Sequence, residues 1–257
     1  MMKVRQISKG NWLVEVTEED KNKIGCIVSR LKSKTTLPTY GQWRDESSED
    51  IWEELLGQFC VIGSARLIER LQAKQPVRYN EFLEKLGIEN LLRITVNRKE
   101  YIAKQLTEYK ATRFHNKNAE RIDNCLEDEG IVKEGKIVFL DDLKSNRMLD
   151  EDQMRDILLK KLPFFKMKSI SDFMITIGAA KGFMAFDTRV VGLLKEHFGL
   201  NVELDDIQSD DILYKAIERR LKDICGELGI ELSLLDRMLF RFSEKSAIEY
   251  ILENRCI

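Results

Sequence analysis

The sequence predicts a mainly α-helical protein with a small β-hairpin at its front. Three observations carry that expectation. Three prolines and fourteen glycines in 257 residues leave few places where a helix must stop. Charged residues make up 33% and hydrophobic residues 43%, the mixture of amphipathic helices around a core rather than of a disordered chain. Apolar residues recur at helical spacing over most of the length.

The elements follow in order. Residues 3–7 and 12–16 alternate around Ser8-Lys9-Gly10-Asn11, which reads as a hairpin. Thr17 with Asp20 marks a helix start, and that helix runs to about Leu31. Residues 32–46, with Pro38 and Gly41, read as a linker. From Ser48 the residues Ile51, Trp52, Leu55, Leu56, Phe59 and Cys60 form a helical stripe, interrupted at Gly63-Ser64. Further helical stretches are expected at 65–71, 79–86, 97–109 and 115–127, then at 150–161, 168–177, 188–198, 209–228 and 232–253. Between them, residues 128–143 hold Gly130, Gly135 and the stretch Lys136 to Leu140, which reads as a short strand or a buried loop. The total is about ten helices, with no repeat at a fixed period. Trp52, Phe59, Phe173 and Phe186 read as core.

Composition narrows the function classes. No apolar run approaches a membrane span, and residues 1–23 lack the apolar stretch of a signal peptide, so a cytoplasmic protein is expected. The cysteines Cys26, Cys60, Cys125, Cys225 and Cys256 stand singly, without metal-ligand spacing, and read as ordinary thiols. Only His115 and His197 are available, which argues against a His-based triad or a multi-histidine metal site. No metal and no organic cofactor are expected. The net charge of −2 by itself argues against a nucleic-acid partner.

Residues 150–200 carry more information. A helix ends at Lys160-Lys161, followed by Leu162-Pro163-Phe164-Phe165-Lys166-Met167. A second helix opens at Lys168 and runs to Gly178, and Asp187 opens the next. This arrangement resembles the helix-hairpin-helix DNA glycosylase superfamily, and within it the archaeal-type 8-oxoguanine DNA glycosylase/AP lyases. Ser171, Phe173 and Gly178 fit the family's helix after the lysine. Residues 52–62, the segment Arg113-Phe114-His115-Asn116-Lys117-Asn118-Ala119-Glu120, and Leu234-Leu235-Asp236 resemble three further family segments. The likeness covers about residues 48–250.

The resemblance implies roles. Lys168 falls on the lysine that attacks the sugar, and Asp187 on the aspartate that stabilises the charge developing there. Taken alone, Lys168 reads as a solvated surface residue and Asp187 as an N-cap; capping and catalysis are compatible. An amine attacks only when neutral, and a helix N-terminus with partial burial disfavours an ammonium group. Phe164, Phe165 and Lys166 of the hairpin, with Arg113, Asn116 and Lys117, are candidates for DNA contact. Arg113, Asn116 and Lys117 read equally as an exposed helix start. Phe240 is a candidate for lining the base pocket. Asp172 reads as facing water rather than pairing with a neighbouring lysine. One departure stands out: the family hairpin reads Leu-Pro-Gly-x-Gly-x-Lys, and here Phe164 and Lys166 replace the glycines. Glycines let backbone N–H groups approach a phosphate closely, whereas Lys166 offers a point charge.

The expected organisation is an extension and linker at 1–46, then a glycosylase-like domain at 47–257 of two helical subdomains with the active-site cleft between them. The expected function is removal of an oxidised purine, 8-oxoguanine, through a lysine Schiff base, by a monomer acting on double-stranded DNA that contains a damaged base, with no membrane partner. Two alternatives stay open: a helix-hairpin-helix protein that binds DNA or a damaged base without cleaving it, and a relative that modifies another base. The charge argument also changes. Residues 93–122 hold eight Lys/Arg against three Asp/Glu, and residues 155–196 eight against four, so the rest of the chain carries −11. The near-neutral total hides two basic stretches in the segments that match the DNA-binding family.

Overall fold

The computed structural model describes residues 2–62, 65–243 and 245–253. The interruption at Gly63-Ser64 and the thiol of Cys256 lie outside the described residues. The chain divides into two compact units. A split unit joins Met1–Gly41 to Phe165–Ile257, and a continuous unit spans Gln42–Phe164.

The split unit opens with β1 (Lys3–Ser8) and β2 (Asn11–Glu15), an antiparallel hairpin in which Val4 faces Val14 and Gln6 faces Trp12. Gly10 takes the left-handed turn position at φ +71°, which costs a residue without Cβ little. The hairpin is tied down by side chains from later in the chain. Asn201 accepts from the Val4 N–H at 2.7 Å and donates to the Val4 carbonyl at 3.0 Å, as a neighbouring strand would. Trp12 donates its indole N–H to Asp210 at 3.1 Å. Helix α1 (Glu18–Leu31) begins with the expected capping box of Thr17 and Asp20.

The continuous unit holds α2 (Ser48–Val61), α3 (Arg66–Lys74), α4 (Pro76–Leu86), α5 (Ile88–Arg93), α6 (Arg98–Glu108) and α7 (His115–Glu127). Then come the two-residue strands β3 (Val132–Lys133) and β4 (Lys136–Ile137), α8 (Asp141–Ser145) and α9 (Glu151–Lys161). The α2 stripe is buried as its spacing predicts, with Trp52, Leu55, Leu56, Phe59 and Cys60 all at 0% exposure. Burying each large apolar side chain contributes about 1.5–3 kcal/mol. The Trp52 indole N–H donates to the Leu86 carbonyl at 2.8 Å, so α2 and α4 are joined by a satisfied polar contact inside apolar packing.

The chain then re-enters the split unit with α10 (Met167–Thr176), α11 (Thr188–Phe198), α12 (Leu204–Ser209), α13 (Asp211–Glu227), α14 (Leu232–Arg241) and α15 (Lys245–Glu253). The mainly helical fold matches expectation, as do the core positions of Trp52, Phe59, Phe173 and Phe186. The helices are more numerous: fifteen among the described residues, not about ten. The extra ones are short. Helices α5, α8 and α12 have six, five and six residues, too few turns for a period to register. The pattern read as one helix over 232–253 is two, α14 and α15, broken after Arg241. The strand or loop expected at 136–140 is the second arm of a minimal hairpin with Val132 opposite Ile137, and Phe139 and Leu140 beyond it are buried. Among the described residues, no helix is long and apolar enough to cross a membrane.

Candidate active site

Helix α10 follows the hairpin residues 162–166. Lys166 occupies its N-cap with extended backbone, and a lysine side chain has no acceptor to cap the first-turn N–H groups. Those donors point out of the helix start, where Lys166 itself is exposed. Phe164 is half-buried, its ring tilted against Phe59 at 6.2 Å between centroids. Phe165 is 5% exposed and packs in the core, so of these three candidates Lys166 is the exposed one. At the far end of α10, Gly178 adopts φ +72° and lets the Ala179 N–H return to the Met174 carbonyl at 2.7 Å.

Lys168 lies in the first turn of α10, with its side chain 18% exposed. Its amine donates to Asp172 Oδ2 at 3.0 Å, one helical turn on. Asp172 is therefore not a water-facing residue, as its sequence context suggested. Its other oxygen, Oδ1, accepts from Arg237 Nη1 at 2.7 Å. Burial alone would raise the Asp172 pKa. The charges of Lys168 and Arg237 outweigh that, and the carboxyl is held well below the usual carboxylate range. A second buried carboxylate meets the same guanidinium: Asp236 Oδ2 lies 3.2 Å from Arg237 Nη1. Here burial dominates, aided by the negative charges of Asp172 and Asp187, and the pKa is pushed up to about 7.

Asp187 caps α11, its Oδ1 accepting from the N–H groups of Arg189 and Val190, each at 2.9 Å. Its Oδ2 receives Arg189 Nε at 3.2 Å. The Arg189 guanidinium lies 3.6 Å over the Phe240 ring, so this half-buried ring already carries a planar cation on one face. The chain leading into Asp187 is irregular, so its N–H groups have no ladder partners. Buried side chains supply acceptors instead. Met184 N–H donates to Glu218 at 3.1 Å, Ala185 N–H to Asp236 Oδ1 at 2.8 Å, and Phe186 N–H to the Tyr214 hydroxyl at 3.3 Å. Lys168 and Asp187 thus sit in the same unit, each at a helix start, and no hydrogen bond or ion pair joins them.

The remaining candidates lie at the start of α7 in the continuous unit. Arg113, Asn116 and Lys117 are all exposed there, beside the 46% exposed ring of Phe114. Asn118, one position on, is fully buried and donates to the Phe59 carbonyl at 2.7 Å and to Thr112 Oγ1 at 3.1 Å, fixing that helix start against α2. Burial pushes the thiols of Cys60, Cys125 and Cys225 up to about 12, which leaves these three unreactive at neutral pH.

Sequence reasoning missed Arg237 and the buried roles of Asp172 and Asp236. The spacing of Lys168 and Asp172 by four positions was a usable signal for one contact. Nothing local links residue 172 to residue 237, because that pairing forms only when the fold brings the Arg237 side chain of α14 within reach of α10.

A family model described as 8-oxoguanine DNA glycosylase, of the helix-hairpin-helix type, matches residues 34–230. No curated protein matches the chain. Among solved structures, the fold is similar to the 8-oxoguanine DNA glycosylase of Methanocaldococcus jannaschii, with a TM-score of 0.64 and 19% identity over 87% of this chain and 93% of that one. The glycosylase/lyase of the same organism bound to a 15mer DNA containing 8-oxoguanine gives 0.55 and 19%, over 87% and 90%. The 8-oxoguanine DNA glycosylase of Thermotoga maritima gives 0.56 and 18%, over 88% and 97%.

Proposed function

Because the chain belongs to the 8-oxoguanine DNA glycosylase family, we propose that it removes 8-oxoguanine from double-stranded DNA and cleaves the resulting site through a Schiff base on Lys168. The observation that supports this most is the extent of the family match, which spans residues 34–230 and so includes the hairpin, Lys168 and Asp187. The target base is stacked inside the duplex, so the nucleotide is first turned out of the helix. The neutral Lys168 amine then attacks the sugar C1′, the bond from C1′ to the base breaks, and the base leaves. Opening of the sugar ring gives a protonated imine between C1′ and Lys168. Loss of a proton from C2′ then expels the 3′ phosphate by β-elimination. Asp187 stabilises the positive charge that develops on the sugar as the base departs. Its cap bonds to α11 hold the carboxylate in place, so little reorganisation is needed at that moment.

The hairpin grips DNA by a different means from a glycine-rich one. The uncapped start of α10 offers backbone N–H groups to a phosphate, and the Lys166 side chain adds a point charge beside them. The exposed Arg113, Asn116 and Lys117 add phosphate contacts at the start of α7.

The test is borohydride trapping on duplex DNA containing 8-oxoguanine. Wild type gives a covalent adduct and Lys168→Gln gives none. If wild type gives none while a known lyase does, the reading fails. A second reading, a protein that binds the lesion without cleaving it, is favoured by Phe164 and Lys166 in place of the hairpin glycines. It predicts lesion-dependent binding with no base released by wild type.

A further inference from the structure

We propose that Arg237 is a positioning residue for Lys168 and Asp187: it holds Asp172 against the lysine amine and, through Asp236, steadies the backbone that leads into Asp187. The proposal rests on the reading above, in which Lys168 and Asp187 carry the chemistry.

The geometry is that of a bracket between two helices and a loop. Arg237 Nη1 contacts Asp172 Oδ1 at 2.7 Å on α10 and Asp236 Oδ2 at 3.2 Å on α14. Its Nη2 contacts the Thr176 hydroxyl at 2.9 Å and the Asp172 carbonyl at 3.2 Å, so α10 is held at two positions one turn apart. Each carboxylate turns one oxygen to the guanidinium and the other away from it. Asp172 presents Oδ2 to the Lys168 amine at 3.0 Å, and Asp236 presents Oδ1 to the Ala185 N–H at 2.8 Å, two residues before Asp187. One side chain thereby connects the two proposed catalytic positions, which make no bond to each other.

Only arginine has the donor array for this. A planar guanidinium reaches several acceptors in a fixed fork, whereas an ammonium is a compact point charge on a flexible stem. The Arg237 side chain is 19% exposed and Asp236 only 1%, so the network is largely shielded from solvent. With the Lys168 amine neutral, as attack on C1′ requires, Asp172 keeps a cationic partner in Arg237. The carboxylate therefore has no reason to swing away, and the amine stays aimed.

The experiment uses the full chain at saturating concentration on a duplex containing 8-oxoguanine. Single-turnover base release and borohydride trapping are measured, with affinity for the duplex determined separately. Arg237→Ala is expected to slow both steps by about tenfold or more at unchanged DNA affinity, and added methylguanidinium is expected to restore part of the rate. Arg237→Lys is expected to recover less than wild type, because the fork is lost. Thr176→Val removes one acceptor from the bracket, keeps every charge, and serves if Arg237→Ala does not fold. It is expected to slow trapping several-fold with affinity unchanged. Wild-type rates in Arg237→Ala, or in Thr176→Val where the first variant is unfolded, overturn the proposal and leave the Lys168 reading standing. A loss of rate that only parallels a loss of DNA affinity, without rescue by methylguanidinium, also overturns it. A wild-type protein that traps no adduct sinks the Lys168 reading, and this proposal with it.

Discussion

The two compact units bury different kinds of polar group. Among the described residues, every buried carboxylate lies in the split unit: Asp20, Asp172, Glu218 and Asp236. The continuous unit buries Gln58, Gln105, Thr112, Asn118 and Arg155. Asn118 shows what such a group does there: it bonds a backbone carbonyl and a hydroxyl and fixes one helix start. In the split unit, Glu218 and Asp236 hold an irregular backbone, and Asp172 holds a lysine amine. A buried carboxylate is costly unless it is paired or protonated, so its presence asks for a reason beyond packing. On the proposed reading, the chemistry falls in the split unit, where Asp172 holds the Lys168 amine and Glu218 and Asp236 hold the backbone before Asp187.

The largest expected effect breaks the comparison at Lys168. Lys168→Gln should abolish the trapped adduct and slow base release by about 10³-fold or more, while binding of lesion DNA survives. Asp187→Asn comes next. Asparagine caps a helix about as well as aspartate, so thermal stability should hardly change. The loss of charge should slow base release by about 10²–10⁴-fold. A parallel fall in melting temperature would mean that capping is the main role of Asp187.

How much of this was legible in the sequence can be argued from particular residues. The capping box at Thr17, the α2 stripe and the Asp187 cap are local, and local rules found them. The Arg237 network is not local, because its members come from positions 172, 176, 236 and 237. The charge count over 155–196 also overstated what DNA can reach. Arg155 is fully buried against Asp152, Lys168 belongs to the Asp172 network, and Arg189 lies on Phe240. Lys160 and Lys166 are exposed, and the side chains of Lys181 and Lys195 are partly so, each in an ion pair. Sequence reports charge but not the partner that satisfies it.

Two smaller predictions sharpen the contrast between the units. Asn118→Ala removes the bonds that Asn118 gives to the Phe59 carbonyl and the Thr112 hydroxyl and should cost about 1–3 kcal/mol of stability, with trapping unchanged well below the melting temperature. In the split unit, Asp236 makes stability depend on pH. Its pKa rises from 3.8 to about 7 on folding, so the folded state holds the proton more tightly. Its contribution is complete below about 4 and is lost as pH rises toward about 7. Asp172 has the opposite sign: its stabilisation is present above 3.8 and is lost as pH falls below that value. Denaturant midpoints measured across this range should lose the slope between about 4 and about 7 in Asp236→Asn. The smallest effect is expected at the hairpin. Lys166→Ala should weaken binding to all duplexes alike and reduce the salt dependence by about one phosphate contact.

The most direct test of the account is to trap the wild-type protein on duplex DNA containing 8-oxoguanine, digest the adduct and locate the sugar by mass spectrometry. The account predicts a single modified peptide carrying the sugar on Lys168. An adduct on another amine, such as Lys166 or Lys181, would contradict it.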